Sequence, residues 1–139
     1  AGHSHKCFPQ YDPGYFSRTK LVSNYSAVTA ACLVIKKSIF LKVGGLNDKN
    51  LKVAFNDIDF CLKVRKAGYR NIWTPYAEFY HFESQTRGYE NTPEKIRRFE
   101  KEIEYMQKTW GEDLLKDPYY SPNLTLKTED FSYASIPRV

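Results

Sequence analysis

The stretch AVTAACLVI, Ala27 to Ile35, restricts the fold more than any other part of the sequence. It is a near-continuous apolar run with β-branched members, the pattern of a central strand buried on both faces. Such a strand needs helices above and below it, so the expected fold class is α/β, a mixed sheet flanked by helices. With 139 residues, 42% of them apolar, the chain has material for one core and too little for two ordinary domains.

The segments that follow supply the helices. KKSIFLKVGG predicts a short helix of about two turns, with Ser38 as cap, Ile39, Phe40 and Val43 as its buried stripe, and Gly44 or Gly45 as a left-handed stop. FNDIDFCLKVRKAGYR, Phe55 to Arg70, predicts an amphipathic helix capped by Asn56, with Ile58, Cys61, Leu62 and Arg65 on one face and Gly68 at its end. YRNIWTP and AEFYHF read as two strands separated at Pro75. A longer helix is predicted from Thr92 as cap and Pro93 in the first position, with Ile96, Phe99, Ile103, Met106 and Trp110 forming a core stripe before a stop at Gly111. Residues 1–24 read as loop. From Asp117 onward Pro118, Pro122 and Pro137 interrupt a segment without periodicity, so the expected organisation is a body over 1–116 and an extended tail over 117–139.

Lys and Arg outnumber Asp and Glu by 21 to 16, a net charge of +5 that suits phosphate-bearing partners but is shared by many enzymes, so charge alone does not argue for nucleic acid. The cysteines Cys7, Cys32 and Cys61 are odd in number and widely spaced, which argues against a disulfide framework and for a reducing compartment. No apolar run approaches the roughly 20 residues needed to span a bilayer, and no signal-peptide layout opens the chain. A soluble, cytoplasmic product is expected. The opening AGHSHKCFPQYDPGYF, without Met or a helix start, leads us to expect a fragment.

Asp57 and Asp59, at the mouth of the second predicted helix, admit three readings. Acids in a first helical turn interact favourably with the dipole and are most simply structural. A metal-holding D-x-D usually leaves a buried strand, which KVAF does not resemble. A carboxylate at a helix N-terminus also stays ionised and can take a proton from a hydroxyl, so capping and general-base roles are compatible. His81, before a polar loop carrying Arg87 and Gly88, is either a hydrogen-bonded structural residue or a ligand. His3 and His5 lack the fixed spacing of a zinc site. There is no phosphate-cradling G-x-G-x-x-G or Walker loop and no nucleophile elbow.

In order, VTAACLVIKKSIFLKVGGLND, AFNDIDFCLKVRKAGYRNIWTPYAEFYHFES and RGYE resemble the C-terminal half of family 2 glycosyltransferases with the GT-A fold, above all bacterial enzymes of O-antigen, capsule and other surface polysaccharides. The likeness runs from about Ala27 to Gly88. TAACLVI resembles the family's T-G-A-x-x-x-I strand, with Ala30 where glycine is common, and implies a place for Ala30 at the donor site. VGGLND resembles the G-G-F-D-E turn. NDID resembles E-D-x-D, with Asn56 in place of Glu. By this resemblance Asp57 is the general base of an inverting transfer, Asp59 orients it or binds an acceptor hydroxyl, and Asn56 belongs to the acceptor-binding residues. His81 matches a histidine that helps hold a divalent cation, and Arg87 meets the donor's diphosphate. The implied partners are a nucleotide-diphosphate sugar, a saccharide or lipid-linked saccharide acceptor, and Mg²⁺ or Mn²⁺ held with a D-x-D upstream of this chain. The parent enzyme would then work in the cytoplasm, peripherally at the inner face of the membrane, and a severed sheet edge would favour a homodimer.

A competing reading is a basic, aromatic-rich binding module for single-stranded nucleic acid or carbohydrate, using the 11 tyrosines as stacking platforms without catalysis. A third is an interaction domain in which every acid named above is a cap.

Overall fold

The structure is a computed structural model that describes residues 4–5, 8–80 and 92–138. It is mixed α/β: strand β1 (Ser23–Tyr25), helices α1 (Lys37–Lys42) and α2 (Asn56–Lys66), strand β2 (Asn71–Trp73) and helix α3 (Pro93–Leu115). The two strands pair antiparallel, with Asn24 opposite Ile72, and form a two-stranded sheet.

The run Ala27 to Ile35 does not form the expected strand. Thr29 instead caps a 3₁₀ turn over Ala30–Cys32, its hydroxyl accepting the Ala31 N–H at 3.2 Å, and Val34 is 96% exposed. A central strand needs neighbours hydrogen-bonded to both its edges, and none of the described segments pairs with this run. The backbone instead finds partners within its own turn and on α2, where side chains of Asp57 and Cys61 accept the Ala30 and Val28 N–H groups. The second strand expected over AEFYHF is absent across 77–80, and its last two residues lie outside the described residues.

The helices follow the sequence more closely. α1 starts at Lys37 with Lys36 as an N-cap that makes no side-chain bond, and it ends at Gly44 and Gly45, both with positive φ. Gly45 is also a close-approach site, since a Cβ there would lie 2.9 Å from the Phe40 ring. α3 begins as expected, with Thr92 Oγ1 accepting the Lys95 N–H and Pro93 in the first turn. It runs through Gly111 to Leu115, because Leu114 one turn on still packs against the core and offsets a glycine cost of about 1 kcal/mol.

That core is small. Leu51, Leu62, Met106 and Trp110 are buried together, with Phe55, Ile58, Tyr105 and Leu114 packed around them. It lies between α2 and the middle and end of α3; Ile96, at the start of the α3 stripe, is 45% exposed. Among its described residues the tail has no helix or strand, yet it buries Leu124 and Phe131. Phe131 stacks on Tyr15 (4.9 Å between centroids) and on His5 (5.1 Å), and the Arg138 guanidinium donates to the carbonyls of Leu124 and Ser121. Among the described residues no helix is long and apolar enough to cross a membrane.

Candidate functional site

The candidate site is built where the loop after α1 enters α2. Phe55, the residue before the helix, is left-handed (φ 61°, ψ 4°), a conformation that non-glycine residues adopt at a cost of about 1–3 kcal/mol unless their surroundings hold them. Two contacts hold this one. The Phe55 ring stacks on Phe99 of α3 at 5.3 Å, and the buried Glu102 carboxylate, one helical turn on, accepts the N–H groups of Val53 (3.0 Å) and Ala54 (3.1 Å). Arg98 lies 3.8 Å from the same carboxylate.

Asn56 does not cap the helix; it is its first residue. Its side chain staples the preceding loop, accepting the Asn47 N–H (2.8 Å) and donating to the carbonyls of Leu51 (2.7 Å) and Asn47 (3.2 Å). An amide group suits this task because it donates and accepts at once, which the carboxylate of a Glu does not.

The two acids face different surroundings. Asp57 is partly exposed; Oδ1 accepts the N–H of Ile58 (2.9 Å) and Oδ2 the N–H of Ala30 (3.1 Å). Ala30 is thereby brought against Asp57. A carboxylate offers about four lone-pair sites, so two such bonds leave it able to accept more. Asp59 is fully buried: Oδ1 takes the indole N–H of Trp110 at 2.9 Å, and Oδ2 lies 2.7 Å from Lys63 Nζ in a charge contact. Its oxygens are committed to α3 and to its own helix.

Cys61, one turn after Asp57, grips the same loop. Its Sγ accepts the Val28 N–H (3.5 Å) and its thiol points at the Val28 carbonyl (3.6 Å). Burial pushes the Cys61 thiol up, with the bond to Val28 acting against the shift and the Asp57 charge adding to it. This is a packed structural thiol rather than a nucleophile. Asn71 completes the frame by donating to the carbonyls of Ser26 (2.9 Å) and Cys61 (3.1 Å).

The structure thus joins Asn56, Asp57 and Ala30, and places Asp59 behind them. His81 and Arg87 lie outside the described residues. Among the described residues no group of three His, Cys, Asp or Glu side chains is placed to hold a metal ion. Two surface clefts, one lined by Leu62, Arg65 and Trp110 and the other by Lys42, Lys63 and Lys66, do not include Asp57. Sequence reasoning missed Glu102, Trp110 as a hydrogen-bond donor, and Cys61 as a loop anchor. For Glu102 a signal existed, since it falls between Phe99 and Met106 on the stripe assigned to the core, where an acid needs partners.

Over 135 residues the chain is 58% identical to the uncharacterized protein y4gI of Sinorhizobium fredii, a match that takes in 97% of this chain and 15% of that protein. Over 115 residues it is 29% identical to the O-antigen biosynthesis protein RfbC of Myxococcus xanthus, covering 83% of this chain and 9% of that protein. The chain therefore spans a small part of the length of either relative. No family model matches it, and no solved structure does.

Proposed function

We propose that the protein to which these residues belong transfers a sugar from a nucleotide-diphosphate donor to a hydroxyl of a saccharide or lipid-linked saccharide, with inversion, during assembly of a surface polysaccharide. The observation that carries this reading is the division of labour between the two acids. Asp57 keeps a solvent-facing carboxylate at the mouth of α2, while Asp59 is sealed beneath it on Trp110 and Lys63. The distant similarity to an O-antigen biosynthesis protein supports the same direction.

In this reading residues 1–116 form the acceptor side of a GT-A transferase and 117–139 its tail. The acceptor hydroxyl gives its proton to Asp57 as its oxygen bonds to the anomeric carbon, and the bond from that carbon to the diphosphate breaks on the opposite side. The backbone bonds from Ile58 and Ala30 fix the carboxylate's direction, and orientation of this kind supplies much of a displacement's rate. Asn56 and Asp59 position the turn. His81 and Arg87 enter through the sequence alone, as cation and diphosphate ligands. A divalent cation held in part by His81 would offset the charge growing on the departing diphosphate.

The test is Asp57→Asn in the full-length protein, assayed by nucleoside diphosphate release from a panel of nucleotide sugars with acceptor present. Turnover should fall about 1,000-fold or more with donor KM nearly unchanged. A near-normal rate removes Asp57 as the base.

A further inference from the structure

Asp57, Cys61 and Arg65 fall four residues apart on α2 and so form one stripe along the helix. Each holds a different residue of the segment that enters the 3₁₀ turn. Arg65 donates from Nη1 to Ser26 Oγ (2.9 Å), Cys61 Sγ takes the N–H of Val28 (3.5 Å), and Asp57 Oδ2 takes the N–H of Ala30 (3.1 Å). The held residues are two apart and run against the direction of the helix. Four helical residues advance about 6 Å and two extended ones about 6.6 Å, so the two spacings keep step over all three contacts. Residues 26–30 are thereby laid along α2 in a fixed register, and the last contact of the series is made by the candidate base.

The first contact is tied to the tail. Ser26 Oγ donates to Asp117 Oδ1 (2.6 Å) while it accepts from Arg65, so one hydroxyl joins a cation on α2 to an anion on the tail. Both bonds involve a charged partner and belong to the stronger class. Asp117 is itself held, because the same oxygen takes the N–H of Tyr119 (2.8 Å), and the Tyr119 carbonyl accepts from Arg18 Nη2 (3.2 Å). The Tyr119 ring lies under the Arg65 guanidinium, 5.5 Å from its carbon. A side chain at position 26 must give one hydrogen bond and take another to make this joint, which serine and threonine do and alanine does not. Asn71 holds the Ser26 carbonyl separately (2.9 Å), so removing the hydroxyl leaves the segment attached.

We propose that Ser26 and Asp117 are positioning residues for Asp57: they set the register of residues 26–30 on α2, and through it the place of the Ala30 N–H that aims the carboxylate. This rests on the reading of Asp57 as the base. The carboxylate is held from two sides, by the Ile58 N–H on Oδ1 from within the helix and by the Ala30 N–H on Oδ2 from the segment alongside. Only the second depends on the register. A hydrogen bond weakens steeply as its angle closes, so a small slip of the segment frees Oδ2 to turn. The tail thus acts on the site through a single hydroxyl.

Amide NMR of the 139-residue chain reads the register, because the amide protons of Ala30 and Ile58 both respond as Asp57 ionises. In Ser26→Ala and in Asp117→Ala the pH-linked shift of the Ala30 amide should shrink to about half or less while that of Ile58 stays. Ser26→Thr, which keeps the hydroxyl, should restore it. An unchanged Ala30 response, or an equal loss at Ile58, overturns the proposal. In the full-length protein, followed by nucleoside diphosphate release, Ser26→Ala should lower turnover about tenfold with donor KM unchanged, and Ser26→Thr should recover most of it. Asp57→Asn in the same assay separates the two readings. If it abolishes turnover and Ser26→Ala does not lower it, Asp57 remains the base and the positioning role falls; if Asp57→Asn is active, the base falls and takes the positioning role with it.

Discussion

The indole N–H of Trp110 ends on Oδ1 of Asp59, 2.9 Å away and shut off from water, so the first turn of α2 is tied to the far part of α3 by a polar bond inside an apolar core. Of the groups around the candidate site, this pair has the most to lose from a single substitution. Trp110→Phe leaves a buried acceptor with only Lys63 for company, and Asp59→Ala leaves a buried donor with none. Each should cost about 1–3 kcal/mol in urea unfolding, beyond any cavity effect. The double variant should cost less than the two single costs together by at least about 0.5 kcal/mol, as coupled partners do. Strict additivity would mean that the bond contributes nothing.

Glu102 should control the turn before Asp57 more than the whole molecule. Glu102→Gln keeps one acceptor and turns an N–H₂ toward the other amide, so one of Val53 and Ala54 loses its partner, at a cost of about 1–2 kcal/mol. Hydrogen exchange at those two amides should speed up well beyond the change at Met106. A uniform change along the chain would show that Glu102 acts only on global stability.

The exposed turn at Asp130 gives a pH signature. Ser132 and Thr128 donate their side-chain hydroxyls and Ser132 its N–H to the Asp130 carboxylate, and these bonds lower its pKa from 3.8 to about 2. A depressed acid contributes order that is complete above the unfolded value and is lost as pH falls through the folded one. The Asp130 carboxyl ¹³C resonance should therefore titrate near pH 2, and Ser132→Ala should return its midpoint toward 3.8. A midpoint already near 3.8 in the parent chain would contradict the turn.

Gly14 should be intolerant of alanine. Its φ is 67°, and a Cβ there would sit 2.5 Å from His5 Nε2. Gly14→Ala should cost about 1–3 kcal/mol and push His5 off Phe131. Burial first, then the Arg18 charge, pushes the His5 imidazole below 6.5, with Asp12 opposing. The folded form thus binds this proton less readily than the unfolded form, so the packing weakens as pH drops below 6.5. By NMR titration His5 should move up toward 6.5 in the variant; an unchanged midpoint would show that the stack survives.

The sequence disclosed α3 best where it carried its own punctuation, since Thr92 and Pro93 act through local geometry that no distant residue alters. Gly111 misled because a glycine stops a helix only when nothing beyond it needs burying, and Leu114 does. Ala27 to Ile35 misled for the converse reason: an apolar run states what it would bury, not whether partner strands are at hand. The candidate site was half legible. NDID marked the first turn of α2, but Asp57 and Asp59 differ by about 200° around a helix, and only the position of Trp110 says which one turns inward. Cys61 gave no sign that it would hold Val28, because a thiol inside a helical stripe reads as packing.

The placement of Val34, 96% exposed within a run of aliphatic neighbours, bears on how such a chain behaves in a tube. A sticky aliphatic strip is kept from its copies mainly by like-charge repulsion, which at neutral pH comes from an excess of +5. That repulsion vanishes near the isoelectric point of about 9.0, so mildly alkaline, salty buffers are where turbidity should set in first, and neutral, dilute ones where the chain should keep best.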